Sequence, residues 1–356
     1  MLQAPFPWFG GKRLVAAEVW RRFGDVANYV EPFAGSLAVL LGRPASHRGR
    51  VETVNDADGF IANFWRAVAA APAEVARWAD WPVNENDLHA RHAWLVEQRA
   101  RLTARLEGDP EYYDARIAGW WVWGISAWIG TGFCSGDGPW RVVDGELVLG
   151  GAGQGINRQL PHLGKAGRGI NRKLPHLGDA GRGINSNAGQ DINGWFNQLM
   201  RRLRSVRVTC GDWTRVVTDA VTISNGVTGV FLDPPYGDEV TQSRVYATDA
   251  PDIARDVRRW CAERGDDPRL RIALCGYAGE GHEELERLGW TAFRWKARGG
   301  YGGGRGGTGE ANRHRETIWF SPHCLKQDMP TLFDVGPSEQ ECGAECSVAS
   351  LNAGTA

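Results

Sequence analysis

Strand-type and helix-type patterns alternate between residues 28 and 70, and this alternation constrains the fold more than any other feature of the chain. A short β-type run at 28–33 leads into the start of a helix at 36–41. A second strand pattern at 50–54 precedes a helical pattern at 59–70. Strands that alternate with helices predict an α/β fold with a parallel, doubly wound sheet.

The alternation stops after residue 71 and resumes after residue 205. The resumed stretch has predicted strands at 206–210, 229–232 and 270–275, helices at 253–264 and 282–288, and a closing strand pair at 290–295 and 317–320. The intervening residues contain helical runs rich in Trp, Arg and Glu, at 87–106 and 112–128, and then a Gly-rich segment. We therefore predict that residues 1–71 and 198–325 form one core, and that 72–197 is an inserted, largely helical and irregular module. Residues 326–356 are predicted to be disordered.

Charge and composition narrow the functional classes only slightly. The net charge of −1 argues mildly against a non-specific DNA binder, which carries a strong basic excess. The seven cysteines show no repeated spacing, so we expect reduced and mostly buried thiols. No run approaches the roughly eighteen apolar residues of a membrane span, and the first residues lack the build of a secretory signal. The expectation is a cytoplasmic protein with no membrane partner.

A fourteen-residue unit repeats within 153–185. GQGINRQLPHLGKA begins at Gly153, GRGINRKLPHLGDA at Gly167, and a partial copy, GRGIN, at Gly181. One interpretation is a flexible spacer, because the unit is too short and Gly-rich to bury a core. The other is a DNA-facing arm, because glycines allow close approach to phosphates and basic side chains bind them. The basic candidates are Arg158, Arg168, Arg172, Lys173 and Arg182.

The strongest short motif is DPPY, Asp233 to Tyr236, directly after the apolar strand 229–232. It lies at the carboxyl end of a strand, where open α/β sheets bind ligands. A carboxylate and a backbone carbonyl that accept both N–H bonds of an exocyclic amine would localise its lone pair and make it nucleophilic. Pro234 and Pro235 fix the turn that holds this carbonyl, and Tyr236 can stack on a base extruded from the duplex.

Two further segments predict a nucleotide cofactor. YVEPFAGS, from Tyr29, is a strand that runs into a small-residue turn and then a helix. About twenty residues later, Asp56 ends the second strand, at the spacing where an acid can bind ribose hydroxyls; it could equally cap the next helix. Near the N-terminus, the segment PWFGGKR has a flat ring at Trp8 and a cation at Lys12, both of which could contact a cofactor. The alternative interpretation is that the segment is simply the start of a helix.

In combination and in order, these segments resemble the alpha-class adenine-N6 DNA methyltransferases, the Dam-like group. That family has a WxGGK-type segment, an EPFxG-type motif, an acid after the second strand, a target-recognition insert, DPPY, and a final strand with a Glu. The matching residues here are Trp8 with Gly10–Lys12, Glu31–Gly35, Asp56, Asp233–Tyr236 and Glu316. The resemblance covers roughly residues 5–70 and 205–322, and it implies a Rossmann-like methyltransferase sheet.

The resemblance also implies S-adenosylmethionine as the cofactor and double-stranded DNA as the substrate. The implied cofactor-binding residues are Trp8, Gly10, Lys12, Asp56 and Asp233, with Glu31, Phe33 and Gly35 around the methionine end. The implied catalytic residues, which hold the target base, are Asp233, Pro234, Pro235 and Tyr236. Asp212 is implied to meet the cofactor adenine, although it could instead cap the helix that starts at Trp213. No metal is expected, since a sulfonium is already an activated leaving group, and no obligatory protein partner is evident.

The sequence leaves several interpretations open. The Trp-rich run at 119–128 could be core or a base-stacking platform, and Arg305 and Arg313 could close over DNA or lie in a plain Gly-rich hairpin. The same amine chemistry fits cytosine N4. The chain could also be a methyltransferase for RNA or a small molecule, or a catalytically inactive DNA-binding protein of the same fold. The insert does not match the GATC-recognising members, so no target sequence is predicted.

Overall fold

The computed structural model describes residues 2–6, 8, 12–47, 50–128, 133–134, 140–143, 146–149, 192–235, 250–295 and 315–326. Contacts divide the chain into two compact units, Met1–Leu325 and Lys326–Ala356, and the described helices and strands belong to the first. Among these helices, none combines the length and the apolar character required to cross a membrane.

The helices and strands follow the predicted alternation. The helices are α1 (Ala16–Phe23), α2 (Ala38–Leu41), α3 (Gly59–Ala70), α4 (Pro72–Ala79), α5 (Glu85–Gly108), α6 (Ala115–Ala127), α7 (Ile192–Leu203) and α8 (Ala250–Arg264). The strands are β1 (Asn28–Glu31), β2 (Val51–Asp56), β3 (Trp140–Val143), β4 (Glu146–Leu149), β5 (Val206–Cys210), β6 (Thr228–Leu232), β7 (Leu270–Tyr277), β8 (Thr291–Arg294) and β9 (Glu316–Phe320). Short 3₁₀ helices include Lys12–Leu14, Trp213–Val216 and His282–Leu288.

Within the described residues, seven strands form one sheet in the order β5-β2-β1-β6-β7-β9-β8. The five strands from β5 to β7 pair in parallel. β9 is antiparallel to both of its neighbours, β7 and β8. The chain is therefore a mixed α/β protein with a mostly parallel sheet, which is compatible with a Rossmann-like fold. The strands β3 and β4 form a separate antiparallel pair.

The sheet separates two hydrophobic clusters, because successive strand residues point to opposite faces. Tyr29, Phe231, Cys275 and Ile318 join the cluster that contains buried residues of α1 to α7. Their chain neighbours Val30, Leu232, Leu274 and Trp319 join a second cluster, which contains Val257 and Cys261 of α8. The sheet thus has helices packed on both faces, and its strand ends are left to form a site along one edge.

Two helices differ in extent from the predicted patterns. The helix expected at 36–41 begins only at Ala38, because Gly35 and Leu37 adopt left-handed backbone conformations with φ values of +44° and +53°. The helix expected at 282–288 is a 3₁₀ helix between two glycines with positive φ. The predicted boundary between residues 197 and 198 falls inside α7.

The Trp-rich run of α6 belongs to the core, which decides between the two interpretations of that run. Trp121, Trp123 and Trp128 are buried, and Trp120 is half-buried. The guanidinium of Arg91 lies over three indole rings, 5.0 Å from Trp81, 4.9 Å from Trp120 and 4.4 Å from Trp123. The rings of Trp121, Trp123 and Trp128 are enclosed by protein, so this run does not present a free stacking platform for bases.

The described cysteines, at positions 134, 210, 261, 275 and 324, are free and buried. Burial raises the pKa of the Cys261 thiol well above its ordinary value. The prediction of buried thiols is confirmed for these positions, none of which forms a disulfide within the described residues, while Cys342 and Cys346 lie outside them.

Candidate active site

Three carboxylates lie at the carboxyl ends of neighbouring parallel strands. Glu31 ends β1, Asp56 ends β2, and Asp233 follows β6 directly. β1 lies between β2 and β6, so the order of strands along the chain reverses at the β1–β6 pair. In open α/β sheets, ligands bind outside the carboxyl ends of the strands at such a switch point. The topology therefore brings together the acids of three separate sequence motifs.

Lys12 provides the cation of this edge. Its Nζ lies 3.1 Å from Oδ1 of Asp233 and 3.5 Å from Oε2 of Glu316. The Lys12 side chain is only 5% exposed, whereas that of Asp233 is 21% exposed. Burial lowers the pKa of the Lys12 ammonium, but the two carboxylates outweigh this effect and hold the pKa above its ordinary value. Lys12 thus remains charged and lies between two acids, of which Asp233 is the more accessible.

Glu316 lies at this edge because β9 is antiparallel to its neighbouring strands. The first residue of an antiparallel strand lies where its parallel neighbours end, and Glu316 is paired in register with Tyr277, the last residue of β7. Burial raises the pKa of the Tyr277 phenol to about 12, and the charge of Glu316 adds to the rise. Neither residue is among the predicted site residues, although Glu316 belongs to the motif of the final strand. Both residues could have been identified as ionisable or aromatic side chains at the end of a strand that meets this edge of the sheet.

Glu31 is a buried carboxyl that accepts hydrogen bonds from a tyrosine hydroxyl and from the backbone of Leu40. The hydroxyl of Tyr29 donates a hydrogen bond of 2.9 Å to its Oε2, and Glu31 is 2% exposed. Burial raises the pKa of Glu31 to about 8; the bond from Tyr29 opposes the rise, and the charge of Asp233 adds to it. Near neutral pH, Glu31 therefore keeps its proton until a cation approaches.

The raised pKa of Glu31 predicts a pH dependence of stability. A carboxyl whose pKa is higher in the folded chain stabilises the fold at low pH, and this contribution disappears as the pH rises from 4.5 to about 8. Between about pH 5 and pH 8, we expect Glu31 to account for a loss on the order of 2–4 kcal/mol in the free energy of unfolding. Glu31→Gln should remove this loss, as measured by urea denaturation at several pH values.

The matched control for this measurement is Glu263→Gln, which makes the same substitution at an exposed glutamate of α8. Its pH profile should follow that of the wild-type chain. Parallel profiles for wild type and Glu31→Gln would contradict the assigned pKa.

The turn after β1 is held in one conformation by β2 and by Trp8. Gly35 adopts φ +44° and donates its N–H to Oδ2 of Asp56 at 2.9 Å. A Cβ at Gly35 would lie 2.4 Å from Nε1 of Trp8, so only glycine fits there. Nδ2 of Asn55 donates to the carbonyl of Pro32 at 3.1 Å and fixes the start of the turn.

Asp56 is buried, and both of its carboxylate oxygens accept backbone hydrogen bonds. Oδ2 accepts from Gly35, and Oδ1 accepts from the N–H of Asp58 at 2.8 Å. Burial nevertheless raises the pKa of Asp56 to about 7, since it outweighs these bonds. Each oxygen keeps a second acceptor site, which is the capacity that a ribose hydroxyl requires. The cap of α3 is supplied by Asp58, whose side chain accepts from Phe60, and not by Asp56.

Phe33 and Trp213 form an aromatic wall next to these acids. Their ring centroids are 6.1 Å apart, with 29° between the ring planes. The exposed Asp212 caps the 3₁₀ helix that begins at Trp213, and its Oδ1 accepts the N–H of Thr214 at 2.9 Å. The capping interpretation of Asp212 is therefore confirmed, and its contact with an adenine ring stays a prediction.

The structure places one group of predicted site residues along this edge of the sheet. That group comprises Trp8, Lys12, Glu31, Phe33, Gly35, Asp56, Asp212, Asp233, Pro234 and Pro235. Pro234 and Pro235 are buried, which holds the Asp233 backbone in place. The remaining predicted residues lie outside the described part of the chain: Gly10, Tyr236, Arg158, Arg168, Arg172, Lys173, Arg182, Arg305 and Arg313. The repeats at 153–185 also lie outside it.

Comparisons with known proteins give no match at the level of sequence: no protein-family model matches the chain, and no curated protein matches it significantly. The geometry of the site is therefore the basis for assigning its chemistry.

Proposed function

We propose that this chain is an S-adenosylmethionine-dependent DNA methyltransferase of the Dam-like group, which methylates N6 of adenine. One observation carries the proposal: the acid of the DPPY motif lies at the carboxyl end of β6, beside the switch point, with the Lys12 ammonium 3.1 Å away. An accessible carboxylate held by two buried prolines is the group that an exocyclic amine needs. The proposal includes the finer fold, a doubly wound methyltransferase sheet with 72–197 as the target-recognition insert.

The residues around Asp233 suit the handling of an amine. Its carboxylate can accept one N–H of the amine while a backbone carbonyl of the turn accepts the other, which leaves the nitrogen lone pair free to react. The cation of Lys12 keeps the carboxylate oriented, and Glu316 holds Lys12 from the other side. Because these groups are already in place, little reorganisation is needed when the base enters.

The neighbouring residues fit the proposed cofactor. Glu31 is a buried acid that can give up its proton and receive an ammonium group, and Asp56 retains acceptor sites for ribose hydroxyls. Gly35 leaves a backbone turn without a side chain next to the ring of Trp8. S-adenosylmethionine supplies a methyl group on a sulfonium, so the protein needs only to bind and align the two reactants. Both reactants occur in the cytoplasm, which is the proposed location.

Nucleoside mass spectrometry tests the proposal directly. Unmethylated plasmid DNA is incubated with the full chain and S-adenosylmethionine, digested, and analysed for modified bases. N6-methyladenine is the expected product. If N4-methylcytosine forms instead, the proposed chemistry is supported and the target base is cytosine, not adenine. The absence of any modified base, with S-adenosylmethionine bound in calorimetry, would overturn the assignment of DNA as the substrate.

A further inference from the structure

A basic groove of about 180 Å³ lies between α5 and α6. Its lining includes Trp94, Gln98, Arg101, Arg105, Tyr112 and Arg116. The first four of these residues recur at helical spacing along one face of α5, and the last two come from the turn before α6 and its first turn. We call this feature the α5–α6 groove.

Aromatic rings orient two of its three arginines. Cζ of Arg105 lies 3.9 Å from the ring centroid of Tyr112, and Cζ of Arg116 lies 4.5 Å from the centroid of Trp94. A guanidinium stacked on a ring uses its face for that contact and keeps its N–H edge available for an anion. The rings are covered by the arginines, so the groove presents hydrogen-bond donors and not stacking surfaces.

These positive charges are not neutralised by ion pairs. Arg101, Arg105 and Arg116 are exposed, and within the described residues none of them forms a salt bridge. Asp114 is the acid of the lining; its Oδ1 accepts the N–H of Ile117 at the start of α6, and its single negative charge only partly offsets the three positive charges. By contrast, Arg50, Arg77 and Arg269 are each paired with a carboxylate.

The α5 helix borders the candidate active site with the face that carries Arg99, Thr103 and Glu107, whereas the groove lies on the opposite face of the helix. Thr103 of α5 packs against Gly59, where an added Cβ would lie 2.5 Å from its Oγ1. Arg99 lies 3.9 Å from Asp58, two residues after Asp56. Near the end of α5, Glu107 approaches Gly211, which follows β5. The α5 helix therefore runs past the carboxyl ends of β2 and β5.

We propose that the α5–α6 groove binds the phosphate backbone of double-stranded DNA. Fixed, unpaired guanidiniums match phosphate oxygens in charge and in hydrogen-bond geometry. Contacts of this kind position a duplex without reading its sequence. The inference rests on the proposed function, and it assigns to α5 and α6 contacts with phosphates, for which the sequence pattern names basic residues only in the repeats and the Gly-rich loop.

Fluorescence anisotropy on a labelled, unmethylated duplex of about 30 base pairs tests this inference at several salt concentrations. The variant is Arg101→Gln/Arg105→Gln/Arg116→Gln. At roughly 0.1 M salt, we expect it to bind 10- to 100-fold more weakly, because each lost phosphate contact removes about 0.9 from the slope of log K against log[salt]. The matched control, Arg50→Gln/Arg77→Gln/Arg269→Gln, removes the same charge from paired, exposed arginines and should bind like wild type. Replacing the three groove arginines with lysine should restore most of the affinity and the slope.

The outcomes separate the groove from the catalytic proposal. If wild type methylates DNA and the two triple glutamine variants bind DNA equally well, the assignment of the groove to phosphate binding is wrong and the proposed function stands. If the groove variant binds DNA more weakly but no modified base forms with wild type, the assignment of the groove to DNA is supported and the proposed function is wrong. If wild type does not bind the duplex, or binds duplex RNA of the same sequence more tightly, the assignment of this surface to DNA is overturned.

Discussion

If the proposed function is right, we expect Asp233→Ala to lower the rate of methyl transfer by on the order of 10³-fold or more at saturating S-adenosylmethionine. Alanine cannot accept the N–H of the target amine, so the charge-assisted bond that favours the reactive nitrogen is lost. The fold should survive, because the side chain is partly exposed and Lys12 keeps Glu316 as a partner at 3.5 Å. Quantitative nucleoside mass spectrometry under initial-rate conditions measures the effect, and a thermal melt verifies folding.

Asp267→Ala is a closely matched control for that experiment. Asp267 also precedes a proline, is 17% exposed and forms a salt bridge of 2.8 Å with Arg269. It lies just before β7, at the opposite edge of the sheet from Asp233. Its variant should retain activity within about 2-fold of wild type. Near-full activity of Asp233→Ala, alongside that control, would show that the site has been assigned to the wrong residue.

We expect Glu52→Gln to destabilise the fold by about 3–5 kcal/mol, out of a total of about 5–15 kcal/mol for an ordinary domain. Glu52 is 1% exposed on β2, and its carboxylate binds Arg43 at 3.0 Å and Arg202 at 2.7 Å. The two guanidiniums also donate to the carbonyls of Val26 and Leu40. Neutralising Glu52 leaves two buried cations without a counter-charge, and the glutamine amide adds another donor among them.

Urea denaturation measures this loss, with Glu74→Gln as the control. Glu74 is 57% exposed and lies 3.9 Å from Arg77, so its removal should change the free energy of unfolding by less than about 0.5 kcal/mol. Equal effects of the two substitutions would mean that the Glu52 network does not stabilise α7 against the sheet.

The convergence of Glu31, Asp56 and Asp233 could be predicted from the sequence because each residue lies at or near the end of a predicted strand. Parallel strands bring their carboxyl ends to one edge, so three local patterns suffice to place three acids together. The need for glycine at position 35 could also be predicted, since a turn between a strand and a helix often requires a positive φ.

The place of Glu316 could not be predicted in the same way. Its contact with Lys12 depends on β9 entering between β7 and β8 in the antiparallel direction, and no local periodicity encodes a strand order. The stacking of Arg116 on Trp94 could not be predicted from the sequence for a related reason. It joins α5 to α6, and the sequence pattern identified each helix but not the faces that meet.

The span of the Lys12–Glu316 contact, 304 residues, has a consequence for biosynthesis. At translation rates of about 5–20 residues per second, roughly 15–60 seconds separate the emergence of Lys12 from that of its second acid. Until then, β7 has an unpaired edge that can pair with another nascent chain. The candidate site is therefore completed late in synthesis, and we expect a chain that stops before β9 to be prone to aggregation.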